Sequence, residues 1–275
     1  MADNRIQNHV RTVGFPDFWQ RAHDRFPQFF DVASVELISI GNEAFKGLLS
    51  RPIDKVARHL SRTVWNSLGS VMVLALNGCG VDAMKVVRGM FEASLTLGYL
   101  RLHPELVEDY LDYNFVIQKQ RNDFLKEHAP EHLKRVPVAI QKRIEAEFSR
   151  VAPKFRDRRG KIRKNWSKTN VRAMARELGK EKLYLTFYRF ASSMHHGDVG
   201  GLFAQTKAVE DEDVLDVDLV PSDAWLTESL IIAHGALISV LRDYNEITKA
   251  GQNEFVDRAD KSFLDTWGKA EAPPA

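Results

Sequence analysis

The residues best suited to chemistry in this chain lie in the segment 184–198, YLTFYRFASSMHHGD. An α-helix turns by about 100° per residue, so a helix here places Tyr188, Ser192 and His195 within about 60° of one another. Arg189 and His196 fall on a second face, about 20° apart. Hydroxyl and imidazole groups can transfer protons, and an arginine can grip a phosphate. We therefore predict a functional site on this helix.

A second polar grouping lies on a predicted helix that begins at Asp82. Arg88 and Glu92 are four residues apart on a mainly apolar stripe, which allows them to pair directly. Two interpretations remain open. The pair could lie on the surface at the edge of the buried stripe, or it could form a buried polar network with Tyr188, Ser192 and His195 across a helix interface.

Residues 154–168, KFRDRRGKIRKNWSK, contain eight basic residues and one acidic residue. Basic side chains around a tryptophan are typical of a loop that contacts phosphates and stacks on bases. A solvated loop between helices is the alternative. The acidic run at residues 210–218 could neutralise this loop or be solvated itself. The candidate nucleic-acid-binding residues are Arg156, Arg158, Arg159, Lys161, Arg163, Lys164 and Trp166.

Helix signals follow one another along the whole chain. Prolines stand at helix starts, as at Pro52, and helices stop at Asn77-Gly78 and Gly179. Only residues 214–220, VLDVDLV, partly alternate like a strand. We predict an all-α fold, a multi-helix bundle with a long basic interhelical loop and little or no sheet. Residues 1–50 would form an N-terminal helical segment, 51–250 the main bundle domain, and 251–275 a short helix with a frayed tail.

The composition is that of a soluble protein. The 275 residues are 44% hydrophobic, enough for a full core, and the net charge of +2 gives no global field that would attract nucleic acid. The single Cys79 excludes an internal disulfide and fits a reducing compartment. Because there is no apolar run typical of a signal peptide or a membrane span, we expect a cytoplasmic protein with no membrane partner. Metal and phosphate-loop motifs are missing, so we expect no metal or cofactor.

Three segments, 86–100, 166–179 and 184–198, resemble a widespread bacterial family of helical domains of unknown function, number 5677. The shared pattern is an Arg-x3-Glu helix, a Trp-Ser pair that opens a short helix, and a Tyr-x3-Ser-x2-His helix. The matching residues here are Arg88 and Glu92, Trp166 and Ser167, and Tyr188, Ser192 and His195. The resemblance covers roughly residues 55–245. It implies an all-helical fold and supplies no activity.

A weaker analogy links the chain to HEPN (higher eukaryotes and prokaryotes nucleotide-binding) domains. These are helical bundles in which an Arg is followed, after four to six residues, by a His, and two copies face each other across a dimer. Arg189 precedes both His195 and His196 at such a spacing, whereas Phe190 stands where that class usually has a polar residue.

The analogy implies a metal-independent ribonuclease of the toxin or defence type. It would act on RNA as a homodimer, with Arg189, His195 and His196 as catalytic residues and an antitoxin or other protein as partner. The alternative is a non-catalytic helical module that binds a protein or has a structural role, with Arg88, Glu92, Tyr188 and Ser192 as its buried polar network.

Overall fold

A computed structural model describes residues 15–45, 49–197, 199, 206–208, 215–217 and 221–268. Most of these residues are helical, and the prediction of an all-α fold is confirmed. Within the described residues the sheet structure is one antiparallel ribbon of two three-residue strands, β1 (Thr206–Ala208) and β2 (Leu215–Val217). Strand β2 lies inside the segment 214–220 that alternates in the sequence. The rest of the acidic run, most of the segment 197–201 and the tail from residue 269 lie outside the described residues.

The helices have the following bounds, in chain order. They are α1 (Pro16–Arg25), α2 (Ser34–Ala44), α3 (Pro52–Leu76), α4 (Gly80–Leu102), α5 (Val107–His128), α6 (Pro130–Leu133), α7 (Val138–Val151), α8 (Val171–Glu177), α9 (Glu181–Leu183), α10 (Arg189–His196), α11 (Leu226–Thr248) and α12 (Asn253–Trp267). Segments of π-helix at Gln28–Ala33 and Tyr184–Tyr188 lead into α2 and α10, and short 3-10 helices lie at Pro104–Leu106 and Ala152–Phe155. No helix in the described part of the chain combines the length and the apolar character needed to cross a bilayer.

The chain divides into two units. Unit 1 consists of Met1–Arg101 and Val171–Ala275, and unit 2 is the continuous segment Leu102–Asn170 between them. The domain boundaries expected near residues 50 and 250 do not coincide with the boundaries of these two units, and they stay a prediction.

Helices α3 and α11 form the centre of unit 1 and pack along each other. On α3, residues recurring every three or four positions are almost fully buried, among them Val64, Leu68 and Val71. This spacing puts them on one face of the helix, which is why the sequence folds with that face inward. The helix ends where the sequence indicates, because Gly78 has a φ of 68° that other residues rarely adopt.

His234 on α11 belongs to the same core and has no exposed surface. The indole Nε1 of Trp267 on α12 donates a hydrogen bond to its Nδ1 at 3.1 Å. The rings of Phe29 and Phe263 lie 5.9 and 5.1 Å from the imidazole, measured between centroids. Burial lowers the pKa of His234 to about 4, so the imidazole is neutral at physiological pH.

Unit 2 is built on α5 and α7, which pack against each other. Its buried cluster consists of Tyr113, Val116, Val151 and Phe155. Phe115, Phe148, Ile162 and Trp166 pack on this cluster and are partly buried. The basic segment 154–168 is therefore attached to the core of unit 2 by its own aromatic and apolar side chains.

Candidate functional site

The helix that carries the candidate catalytic residues is not a regular α-helix from Tyr184 onward. Residues Tyr184–Tyr188 are π-helical, and the α-helical part, α10, begins at Arg189 and ends at Gly197, whose φ is 62°. A π-helix has more residues per turn than an α-helix, so angles counted from Tyr184 do not hold beyond it. The buried face is formed by Phe187, Tyr188, Ala191 and Met194.

Tyr188 brings this helix into contact with the polar pair on α4. Its hydroxyl donates a short hydrogen bond to Glu92 Oε1, and Arg88 Nη2 lies 2.9 Å from the same oxygen. Arg88 Nη2 also donates to the Tyr188 hydroxyl at 3.4 Å, and its guanidinium carbon lies 5.4 Å from the centre of the Tyr188 ring. One carboxylate oxygen therefore accepts a hydrogen bond from Tyr188 and forms an ion pair with Arg88, and three side chains from two helices form a closed triad.

Burial and the bond to Glu92 keep the Tyr188 hydroxyl protonated. Tyr188 is 8% exposed, and burial, followed by the hydrogen bond to Glu92, raises its pKa to about 12. The phenol thus stays protonated and acts as a donor to the carboxylate, which is a charge-assisted hydrogen bond. The Arg88 and Glu92 side chains are 19% and 37% exposed, so the pair is half-buried. Arg88 Nε is buried and has no hydrogen-bond acceptor among the described residues.

The other residues of the predicted stripe do not join this triad. Ser192 is half-buried, and no described residue forms a hydrogen bond with its side chain. His195 and His196 are exposed, with their ring centroids 5.1 Å apart and their planes at 81°. The polar network in the described part of the chain therefore consists of Arg88, Glu92 and Tyr188 alone.

Arg189 and His196 share an exposed face of α10. Both are exposed, and because α10 is α-helical over its whole length, residues seven apart differ by about 20° in direction and about 10 Å along the axis. His195 points about 120° away from Arg189 on the same geometry. On this geometry Arg189 shares a face of the helix with His196 and not with His195. Phe190, 48% exposed, lies beside Trp225 with ring centroids 5.9 Å apart.

The basic segment of unit 2 contains an ordered turn around Asp157. The Asp157 carboxylate accepts hydrogen bonds from the backbone N–H groups of Arg159 and Lys161 at 2.8 and 2.9 Å. Gly160 occupies the turn with a φ of 74°, and the Arg156 side chain donates to its carbonyl at 2.6 Å. The single acidic residue of the segment is thus used to shape the turn.

The seven candidate nucleic-acid-binding residues separate into two groups. Arg156, Arg158, Arg159, Lys161 and Lys164 are exposed, and no carboxylate of the described residues forms an ion pair with any of them. Arg163 and Trp166 face the core instead. The Arg163 guanidinium carbon lies 5.5 Å from the centre of the Phe155 ring, and Trp166 packs edge-to-face on Tyr110 with a centroid distance of 5.2 Å. Lys154, also in the segment, pairs with Asp112 at 2.8 Å.

A sequence model of a family described as a family of unknown function (DUF5677) matches residues 54–213, more than half of the chain. The chain belongs to this family. The match begins where the resemblance predicts and ends earlier than residue 245, and it includes Arg88, Glu92, Trp166 and the whole of α10. No curated protein and no solved structure matches the chain.

Two polar contacts in unit 1 were not predicted from the sequence. Lys180 Nζ forms a short hydrogen bond with Ser239 Oγ, and Arg101 contacts Asp243 and Glu246, each at 2.7 Å. The available signal was the pair of polar residues Ser239 and Asp243, four apart at the end of the apolar stretch of α11. Among the described residues, no group of three or more His, Cys, Asp and Glu side chains is arranged to hold a metal ion.

Proposed function

We propose that this protein is a HEPN-like ribonuclease whose catalytic residues are Arg189 and His196, with His195 beside them. The observation that supports the proposal is the shared exposed face of α10, which leaves a guanidinium and an imidazole accessible to a substrate. An RNA strand offers a 2′-hydroxyl next to each phosphodiester, which is the one internal nucleophile that this chemistry needs.

The roles follow from the side-chain types. His196 would accept the proton of the 2′-hydroxyl or protonate the leaving 5′-oxygen. General acid–base catalysis of this kind typically raises the rate by about 10²- to 10⁴-fold. Arg189 would hold the scissile phosphate by two parallel hydrogen bonds and stabilise the charge that develops on it. Neither role requires a metal ion.

A homodimer would supply the second imidazole that a base and an acid together require. Apolar side chains next to α10 support such an interface, because Leu185 and Phe190 are 38% and 48% exposed. Exposed apolar groups that lie together commonly mark an interaction surface. In a toxin or defence system, the same surface would be covered by an antitoxin protein.

The triad of Arg88, Glu92 and Tyr188 would act as a support for the site. It ties the residue just before α10 to α4, so that the helix carrying Arg189 and His196 is held from one end. Catalytic groups work best on rigid elements whose neighbours are fixed by hydrogen bonds.

The cleavage test uses purified full-length chain, single-stranded RNA and EDTA. We expect wild type to cleave, and Arg189→Ala and His196→Ala to be slower by about 10²-fold or more. The matched control is the double variant His59→Ala/Arg62→Ala, which removes an exposed imidazole and an exposed guanidinium from α3. If wild type and all variants degrade RNA equally and only at background level, the proposed ribonuclease activity is refuted.

The RNA-binding test concerns the exposed basic segment of unit 2. A quadruple alanine variant of Arg158, Arg159, Lys161 and Lys164 should weaken RNA binding, and the slope of log K against log salt should fall by up to about 3, or about 0.7 for each lost phosphate contact. The matched control replaces Lys134, Arg135, Lys142 and Arg143, which are exposed in the same unit and carry the same charge. Equal loss in both variants would show non-specific attraction and would argue against this segment as the binding site.

The second candidate is a non-catalytic helical module that binds a protein. It is favoured by the burial of Tyr188, because a buried, hydrogen-bonded triad can specify helix packing without any catalytic role. Such a module would show no RNA cleavage, and Arg189→Ala and His196→Ala would leave every RNA measurement unchanged.

A further inference from the structure

A cleft in unit 1 combines apolar walls with a half-buried lysine. Its volume is about 200 Å³, and its walls come from α4, α9, α11 and α12. Phe91, Leu183, Ile231 and Phe263 are among the apolar residues that line it, and Lys180 and Ser239 also lie on its surface. Mainly apolar clefts with a few polar groups are the usual form of small-molecule sites.

Lys180 is a half-buried cation, and no described carboxylate forms an ion pair with it. Its ammonium donates a short hydrogen bond to the Ser239 hydroxyl, and no carboxylate oxygen of the described residues lies within 4.0 Å of Nζ. Burial lowers the pKa of Lys180, and the charge of Asp243 opposes this effect only in part. The negative charge of Asp243 is already compensated by Arg101, whose Nε lies 2.7 Å from the Asp243 carboxylate. A desolvated charge without a partner is costly, so an incoming anion would gain the full benefit of pairing with it.

The donors in the cleft suit a carboxylate. The ammonium of Lys180 has two protons that remain after the bond to Ser239, and the Ser239 hydroxyl, which accepts that bond, still has its own proton to donate. Ser94, which also lines the cleft, donates its proton to the Phe91 carbonyl at 2.8 Å and is not available. Arg242 at the rim is already paired with Asp260.

We propose that this cleft binds a small carboxylic acid with an apolar body. The carboxylate would contact Lys180 Nζ and Ser239 Oγ, and the hydrocarbon would lie against Phe91, Ile231 and Phe263. The proposal involves neither Arg189 nor His196, so its outcome is independent of ribonuclease activity.

The first test compares three probes of equal chain length on the full-length protein by isothermal titration calorimetry at pH 7. These are octanoate, octanol and octylamine. We expect octanoate to bind about tenfold or more tightly than octanol, the range of a charge-assisted hydrogen bond, and octylamine to be rejected. Octanol binding as tightly as octanoate, or no binding of octanoate, would overturn the proposal.

Two variants locate the probe. Lys180→Met keeps the apolar stem and removes the unpaired charge, so the protein should remain folded while octanoate loses its advantage over octanol. Gly235→Val fills the cleft, since the first added carbon would meet only Phe263, at 3.7 Å, and both octanoate and octanol should lose affinity.

The matched control is Gly69→Val. It makes the same change at an exposed position inside α3, where no atom beyond the adjacent residues and the helix's own backbone lies within 4 Å of the added carbon. Thermal unfolding of each variant verifies that it is folded. Unchanged octanoate affinity in Lys180→Met, or equal losses in Gly235→Val and Gly69→Val, would place the probe elsewhere and refute the assignment.

Discussion

Acidification should destabilise this protein through His234. Burial lowers the pKa of this imidazole from 6.5 to about 4 in the folded protein. As the pH falls below 6.5, the unfolded chain binds a proton at this position and the folded chain does not. The contribution of the neutral imidazole is therefore fully present above pH 6.5 and is lost progressively until the pH reaches about 4.

The size of the effect follows from the two pKa values. The linkage relation gives a loss of free energy of unfolding of about 2 kcal/mol between pH 7 and pH 5, and about 3 kcal/mol once the pH is below 4. The half-buried His23 acts with the opposite sign, because a hydrogen bond to Asp31 raises its pKa. Asp54 and Asp112, whose pKa values are lowered by Arg and Lys partners, lose their contribution in more acidic solution. Burial raises the pKa of Asp243, which, like His23, opposes the loss, so His234 is isolated by comparing wild type with a His234 variant from pH 7 to pH 5.

The assay is urea denaturation at pH 7, 6 and 5, followed by far-ultraviolet circular dichroism. His234→Asn is the informative variant, because the Asn carbonyl can take the place of Nδ1 as acceptor for Trp267 but cannot be protonated. We expect it to be less stable than wild type at pH 7 and to lack the loss toward pH 5. The control His59→Asn changes an exposed imidazole on α3, and this variant should lose as much stability between pH 7 and pH 5 as wild type does.

Two results would refute this reasoning. One is a wild-type free energy of unfolding that is constant from pH 7 to pH 5. The other is a His234→Asn protein that loses as much stability as wild type over that interval, since the proton uptake would then occur at another group.

Two further predictions concern packing and backbone. Tyr188→Phe should lower the free energy of unfolding by about 1–3 kcal/mol, because Glu92 loses a hydrogen-bond donor. The control is Tyr184→Phe, which should cost much less in the same thermal unfolding experiment, because the Tyr184 hydroxyl bonds no described residue. Equal costs would show that the triad does not stabilise the fold. Gly69→Ala should raise the free energy of unfolding by about 0.5–1 kcal/mol, because Ala favours an exposed helix interior. Gly78→Ala should lower it, since φ is 68° and the added carbon would lie 2.6 Å from Pro221 Cβ; a stabilised Gly78→Ala protein would contradict the assigned backbone.

Local signals in the sequence were sufficient for most of the secondary structure. Pro52 begins α3, and the glycines at 78 and 179 end helices with φ values of 68° and 69°. These residues act through their own backbone preferences, which do not depend on the rest of the fold. The spacing of Arg88 and Glu92 likewise indicates direct pairing, because residues four apart are neighbours on any α-helix.

The tertiary structure decided which groups meet and which remain in water. Tyr188 reaches Glu92 although 96 residues separate them, and Lys180 reaches Ser239 across 59 residues. No residue type signals the π-helical segment Tyr184–Tyr188, which shifts the face of the following helix. Helix periodicity determines which side chains share a face, but burial of that face depends on the elements that pack against it. For this reason Tyr188 is buried, and His195, on nearly the same face, is exposed.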